Sequence, residues 1–242
     1  MEKEIEIERE GKKIEASLHS LKNERIVVLA HGFTSNKDRE RYVLMAEKLS
    51  GENIDFLRFN FGGSGNSYNT EIDIDKQVKD LKAVLKWVKE RGYKKIGILG
   101  ESLGGLVTLK SLPLEIDGIV FWAPVTNSKT STYIQRHPEV KEELDKNGRV
   151  VKKKDGREFI LPKKYFEDRE NVDAGELSKN LKVKALILHG DNDKLVDMED
   201  SKIMANINNN LDLEIIGGEG HKLAKKDEIL EKTIKWFKKH LK

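Results

Sequence analysis

The sequence predicts an α/β fold built on a mostly parallel sheet. Three observations carry that expectation. Continuous apolar runs recur at Ile26–Ala30, Ile54–Phe59, Ile96–Leu99, Gly118–Ala123 and Ala185–His189, as strands buried on both faces require. Helical stretches separate them, the alternation that parallel strands joined by crossovers need. The clearest of these stretches carries Ile74, Val78, Leu81, Leu85 and Val88, whose spacing of four, three, four and three lays one apolar stripe along a helix.

The elements follow in chain order. Two alternating strands come first, around Glu4–Arg9 and Lys13–Leu18, with a turn at Glu10-Gly11. The strand Ile26–Ala30 leads to a helix over Asp38–Leu49, and Ile54–Phe59 to the helix with the apolar stripe. After Ile96–Leu99, the residues Leu106, Val107 and Leu109 read as helix. A strand-like Leu211–Ile216 and a final helix, with Leu230, Ile234, Phe237 and Leu241 on one face, end the chain. One interval breaks the alternation. Between Phe121 and Leu186 lie about 60 residues where a crossover needs far fewer. The expected core is therefore 1–124 and 183–242, with 125–182 inserted as a small cap. Within the cap a helix is expected around Pro138–Asp145. A hairpin follows in "RVVKKKDGREFIL" (149–161), where Asp155-Gly156 suits a tight turn.

Composition excludes several classes. The 242 residues can bury a sizeable core. The 45 basic and 42 acidic residues are interspersed and leave a net charge of only +3, a solvated surface and not a nucleic-acid footprint. The absence of cysteine rules out disulfides and thiolate metal sites. The opening MEKEIEIERE holds no apolar signal region, and no apolar run approaches the roughly 20 residues that span a bilayer. A cytoplasmic protein without membrane partners is expected. The sequence leaves a homodimer open.

The chemistry concentrates around "GILGESLGGLV" (97–107). Gly100-Glu101-Ser102-Leu103-Gly104 fits G-x-S-x-G between a strand and a helix, the turn that lifts a nucleophilic serine clear of a sheet. The three nearby glycines, Gly100, Gly104 and Gly105, suggest a backbone too sharply turned for side chains. A serine needs a base, and histidine has the suitable pKa. Of His19, His31, His137, His189, His221 and His240, only the last two follow the final strand, where the order serine, acid, histidine requires the base. His240 belongs to a lysine-rich helix face, with Lys225, Lys226, Lys232, Lys235, Lys238 and Lys239. His221 follows the glycine-rich Gly217–Gly220 and is the expected base. "HGDNDKLVD" (189–197) offers Asp191, Asp193 and Asp197 as the acid, and spacing does not choose among them. Read as a calcium loop from Asp191, this stretch has valine where glycine must stand. The oxyanion hole is expected from the Leu103 N–H and from the Phe33 N–H, in the loop His31-Gly32-Phe33-Thr34. His31 is expected to brace that loop by hydrogen bonds. "FNFGGSGNS" (59–67) lacks the ending of a phosphate loop and reads as a strand-to-helix turn beside the site.

Together "AHGFTSNKD", "FNFGGSGNS", "GESLGG", "LILHGDNDKLV" and "GGEGH" resemble the α/β-hydrolase superfamily over nearly the whole chain outside the cap. The wording looks most like small carboxylesterases of the cinnamoyl or feruloyl esterase type, with monoglyceride-lipase-like and serine-aminopeptidase-like members as near relatives. The resemblance implies an α/β-hydrolase fold, and it implies Asp193 as the acid, the last position of the H-G-x-x-D pattern. Ser102, Asp193 and His221 would then cleave a small-molecule carboxylic ester, of short-chain or aromatic acyl type, without cofactor or metal. A thioesterase or small peptidase would use the same residues. Glu101 departs from the pattern, since such relatives often carry histidine there.

Overall fold

The apolar runs pair into one eight-stranded sheet with the order β1-β2-β4-β3-β5-β6-β9-β10, in a computed structural model that describes residues 1–65, 71–126, 137–154, 156–170 and 172–242. β1 (Glu2–Arg9) and β2 (Lys12–His19) form an antiparallel hairpin at one edge. Its turn has left-handed backbone at Glu10 and Gly11, φ 50° and 73°. β3 (Arg25–Ala30) stands between β4 (Asp55–Phe59) and β5 (Lys95–Glu101), both parallel to it. β6 (Gly118–Trp122), β9 (Ala185–Gly190) and β10 (Leu211–Ile216) continue the parallel order. The carboxyl ends of all six parallel strands therefore share one edge, where loops in such sheets gather their ligands.

Alternate side chains of each strand serve opposite cores. On β3, Ile26, Val28 and Ala30 enter one, and Val27 and Leu29 enter the other. The second core is closed by α1 (Glu40–Ser50) and α8 (Lys226–His240), through Tyr42, Met45 and Leu49 and through Ile229, Trp236 and Phe237. The first is closed by α2 (Ile74–Glu90) and α3 (Leu103–Ser111). In α2 the stripe residues Ile74, Leu81, Leu85 and Val88 are buried as their spacing predicts, and Asp73 caps the helix by accepting from the Lys76 N–H at 3.0 Å. Each fully buried Leu or Val is worth about 1.5–3 kcal/mol.

Between β6 and β9 the chain forms α4 (Pro138–Asn147), the hairpin β7 (Arg149–Lys154) and β8 (Arg157–Pro162), α5 (Lys163–Glu170) and α6 (Ala174–Lys179). The helix and the hairpin lie where the sequence predicts them; Asp155, in the expected turn, is outside the described residues. The sequence reading misses α5, α6 and α7 (Met198–Ile207). α5 and α6 are short and heavily charged, with too few apolar positions to display a period. The hairpin docks on the core: the Ile72 N–H donates to the Ile160 carbonyl at 2.9 Å. Phe159, Leu161, Tyr165 and Phe166 are buried in the first core, while Tyr133 and Ile134 lie outside the described residues.

α3 starts against the end of β3, and that approach positions the β5–α3 turn. A Cβ on Gly104 would stand 2.0 Å from the Ala30 carbonyl oxygen, a backbone atom that cannot step aside. Gly104→Ala should therefore cost more than about 3 kcal/mol or prevent folding. Urea unfolding of the variant measures this, and a loss below about 1 kcal/mol would show that the turn tolerates displacement.

Candidate active site

β5 ends at Glu101 and α3 begins at Leu103, so the whole reversal falls on Ser102. Its φ of 51° and ψ of −114° form a combination that L-residues seldom adopt, at a cost of about 1–3 kcal/mol. None of Gly100, Gly104 and Gly105 has positive φ. The expectation that they mark the sharp turn holds for their place but not for their reason: they admit close neighbours. A Cβ on Gly105 would meet Pro124 Cβ at 2.6 Å. The serine is held by its neighbours' backbone. Its N–H donates to the Trp122 carbonyl at 2.9 Å, and its own carbonyl accepts from the Gly105 and Val125 N–H groups, both at 3.0 Å.

Ser102 Oγ lies 2.9 Å from His221 Nε2, and His221 Nδ1 lies 2.8 Å from Asp193 Oδ2. An ionised carboxylate only accepts, so Nδ1 carries the proton and Nε2 is left to accept from the serine hydroxyl. The three residues arrive from the ends of β5, β9 and β10. The side chain of Asp193 is fully buried and that of His221 is 18% exposed. Asp193 Oδ1 accepts from the Leu195 and Val196 N–H groups at 2.8 and 2.9 Å. Burial pushes this carboxyl up, but hydrogen bonds from His189, His221 and the Val196 N–H outweigh it and hold Asp193 well below the ordinary carboxylate range.

The other two aspartates have separate work. Asp191 accepts from the Gly218 N–H at 2.7 Å and pins the glycine-rich loop that leads to His221. Asp197 caps α7 by accepting from the Glu199 N–H. Chain order excludes His189 as the base, and the sequence assigns it no other role. It is fully buried, its Nε2 donates to the same Asp193 Oδ2 at 3.2 Å, and its Nδ1 therefore accepts from Ser201 Oγ at 2.8 Å. A histidine ending the apolar run Ala185–Leu188 was the available signal, since a buried imidazole needs partners.

The loop after β3 lies across the turn from Ser102. A Cβ on Gly32 would stand 3.3 Å from Ser102 Cβ. His31 braces the loop as expected. Its Nε2 accepts from the Phe61 N–H at 3.2 Å, so Nδ1–H donates to the Gly32 carbonyl at 2.9 Å. Among the described residues no hydrogen bond takes up the N–H of Phe33 or of Leu103. The left-handed residue of the loop is Thr34, with φ 52°, not Gly32. Lys154 from the hairpin donates to Thr34 Oγ1 at 3.0 Å, and Tyr165 stacks on Phe33 with ring centroids 5.8 Å apart. The cavity of about 610 Å³ lined by Glu4, Glu15, Lys37, Asn60 and Arg157 among others includes none of Ser102, Asp193 or His221. Among the described residues no group of three or more His, Asp or Glu could hold a metal ion, and no helix is long and apolar enough to cross a membrane.

A family model described as serine aminopeptidase, S33, matches residues 22–177, more than half of the chain. The chain belongs to the serine aminopeptidase S33 family. The matched span of this S33 chain holds the Phe33 loop, the Ser102 turn and most of the insert, while Asp193 and His221 lie beyond it. Solved structures share its fold. Est1E from Butyrivibrio proteoclasticus, with ferulic acid bound, is 21% identical and superposes with a TM-score of 0.80 over 98% of both chains. The esterase Pf2001 from Pyrococcus furiosus is 22% identical, with a TM-score of 0.77 over 100% of this chain and 92% of that one. An esterase domain from Rhodothermus marinus is 19% identical, with a TM-score of 0.73 over 100% of both chains. No curated protein matches the chain. The α/β-hydrolase fold implied by the motifs is borne out.

Burial lowers the His31 pKa from 6.5 to about 4, so the native protein refuses a proton that the unfolded chain accepts between those values. Stability then rises with pH through this window and falls by about 3 kcal/mol on acidification from pH 6.5 to 4. His31→Gln should be less stable than wild type at pH 7.5, and the difference should shrink as the pH is lowered to 4.5. Urea midpoints at the two pH values test this; a constant difference would contradict it.

Proposed function

We propose that the protein is a serine carboxylesterase acting on small-molecule esters through an acyl-enzyme on Ser102. The observation that carries this reading is the continuous set of hydrogen bonds Ser102–His221–Asp193, centred on a serine held in a strained turn at a helix N-terminus. Ser102 Oγ attacks the ester carbonyl carbon while its proton passes to His221 Nε2. The carbonyl electron pair moves to oxygen, and the N–H groups of Phe33 and Leu103, unbonded among the described residues, receive that charge. Asp193, kept ionised, stabilises the imidazolium. Collapse of the intermediate breaks the bond to the alkoxide, which takes the proton from His221 and leaves as alcohol. A water then gives its proton to His221 and attacks the acyl carbon. The second collapse returns the electron pair to Ser102, which recovers its proton from the imidazolium.

Residues 125–182 act as a cap in this reading. Its large apolar residues Phe159, Leu161, Tyr165 and Phe166 are buried, and Val151 is the exposed large hydrophobic residue among those described there. Such a cap can shape a pocket for a short-chain or aromatic acyl group but offers little surface to a lipid droplet. The ferulic acid bound to a protein of the same fold supports the aromatic choice.

A peptidase reading draws on the family's description. An aminopeptidase needs a carboxylate to receive the substrate's ammonium group. Glu101, next to the serine, is already engaged by Tyr42 and Arg41, which favours the ester reading.

Ser102→Ala and His221→Ala should each lower kcat by at least about 10⁴-fold, and the double variant should be little worse, because the group works as a unit. Asp193→Asn should cost about 10²–10⁴-fold and Asp191→Asn less than about tenfold. Turnover of p-nitrophenyl acetate, with circular dichroism as the folding control, measures all five. A greater loss from Asp191→Asn would move the acid.

A substrate panel separates the reactions. Short-chain and aromatic esters should exceed acyl thioesters, aminoacyl p-nitroanilides and emulsified long-chain triglyceride in kcat/KM. An optimum on an aminoacyl p-nitroanilide would make the protein a peptidase, and an optimum on triglyceride would refute the role given to the cap.

A further inference from the structure

Glu101 ends β5 one residue before Ser102, and no step of the proposed reaction uses it. Its carboxylate is fully engaged. Tyr42, whose hydroxyl is kept protonated by burial and by the Glu101 charge, donates to Oε2. Arg41 NH1 approaches Oε1 at 3.5 Å, and the same nitrogen donates to the Lys222 carbonyl at 2.7 Å. Lys222 directly follows His221. The Arg41 guanidinium also lies 4.3 Å from the centroid of the Trp122 ring, and Trp122 Nε1 donates to Thr233 Oγ1 at 2.9 Å. One side chain of α1 thus reaches both the serine turn and the histidine loop, which stand 60 and 181 residues away in sequence.

We propose that Arg41 and Glu101 form a positioning clamp: Glu101 orients the Arg41 guanidinium, and Arg41 holds the Lys222 carbonyl so that His221 Nε2 stays against Ser102 Oγ. The inference rests on the Ser102–His221 pair of the proposed esterase. The loop's other bonds fix it internally or to the loop that carries Asp193. Leu223 N–H donates to the Gly220 carbonyl at 3.0 Å, the Glu219 carboxylate accepts from the Ala224 and Lys225 N–H groups, and Asn192 N–H donates to the Glu219 carbonyl at 2.9 Å. Arg41 adds a tie to the elbow itself. The side chains of Arg41 and Glu101 are 12% and 15% exposed, so salt screens them little, and a guanidinium this buried needs a counter-charge. A neutral histidine at position 101 could not supply one. A displacement of about 1 Å between reacting groups costs up to about 10²-fold in rate, so a modest slackening of this tie reaches the chemistry.

The test compares wild type, Arg41→Ala, Glu101→Gln and the double variant, reading kcat and KM on p-nitrophenyl acetate, the rate of Ser102 labelling by a fluorophosphonate, and Tm. Arg41→Ala should lower kcat by about 30-fold with KM within about threefold, and labelling should slow in step. Glu101→Gln should lower kcat by about five- to tenfold. The double variant should match Arg41→Ala within about twofold, since Glu101 acts through Arg41. Losses that multiply in the double variant would mean that Glu101 acts on the imidazolium directly, overturning the clamp. A lowered Tm with kcat and labelling unchanged would make both residues merely structural and overturn it equally. If Arg41→Ala does not fold, Arg41→Lys keeps the charge without the planar fork; it should still lose labelling rate, and a wild-type rate would overturn the proposal. A wild-type protein that labels at Ser102 but cleaves no ester removes the esterase reading alone, because labelling still reads the clamp. A wild-type Ser102 that does not label removes both.

Discussion

The arrangement at the carboxyl edge of the sheet depends on a single strained residue. Ser102 can hold its positive φ only while β5, β6 and α3 refuse every alternative, and the refusal is visible atom by atom. The serine's N–H is committed to Trp122 of β6, and its carbonyl to the first turn of α3 and to Val125. Gly104 lies against the Ala30 carbonyl and Gly105 against Pro124, so α3 cannot slide back to relax the turn. A strain of about 1–3 kcal/mol is small against the apolar burial on either side of β5, where Ile96, Ile98 and Leu99 are nearly solvent-free. The consequence is a hydroxyl projected beyond the strand end, with the amide of Leu103 beside it.

The second dependence is a buried charge. Asp193 would be costly where it stands without partners, and it has four: two backbone N–H groups and two imidazoles. The backbone pair belongs to its own loop and fixes the carboxylate. His189 comes from the strand below and, with Ser201, carries the network back into α7. His221 comes from the neighbouring loop and carries it forward to Ser102. A carboxylate satisfied in this way stays ionised, keeps the proton on His221 Nδ1 and leaves Nε2 as the acceptor. The electrostatics of Asp193 and the tautomer of His221 are therefore one fact.

These relations explain what could be read from the sequence. The strands were legible because both faces of a parallel sheet are buried and their runs are uninterrupted. Ser102 and His221 were legible because the turn and the order of motifs restrict their neighbours. Among Asp191, Asp193 and Asp197 the residues alone gave no choice, since all three accept backbone or imidazole N–H groups from nearby and only tertiary geometry separates a loop pin, a carboxylate bonded to His221 and a helix cap. The reason for the glycines was misjudged for a similar cause: close approach by Ala30 and Pro124 is a contact between distant segments, invisible along the chain. His189, Arg41 and Lys154 went unassigned because each acts across an interval that no spacing rule covers. The helices α5 and α6 were missed because their burial comes from the insert's packing against the core and not from a periodic face of their own.

The insert and the loop after β3 are the last pair that the structure joins. Phe33 carries one of the proposed oxyanion donors on its backbone, and its ring stacks on Tyr165 of α5. Thr34 beside it holds a left-handed conformation that is unfavourable for a β-branched residue, and its hydroxyl accepts from Lys154 of the hairpin. The hairpin in turn is tied to the chain after β4 through Ile160 and Ile72, while His31 ties the β3 loop to Phe61 of that same region. The segment that would cover a substrate thus also supports the backbone that would receive its developing charge. In the proposed reaction, substrate selection and oxyanion geometry would then not be separable by exchanging the insert alone. A change in α5 that admits a larger acyl group would also alter the Tyr165 ring on which Phe33 rests, so position 165 would have to keep an aromatic face to hold the amide in place.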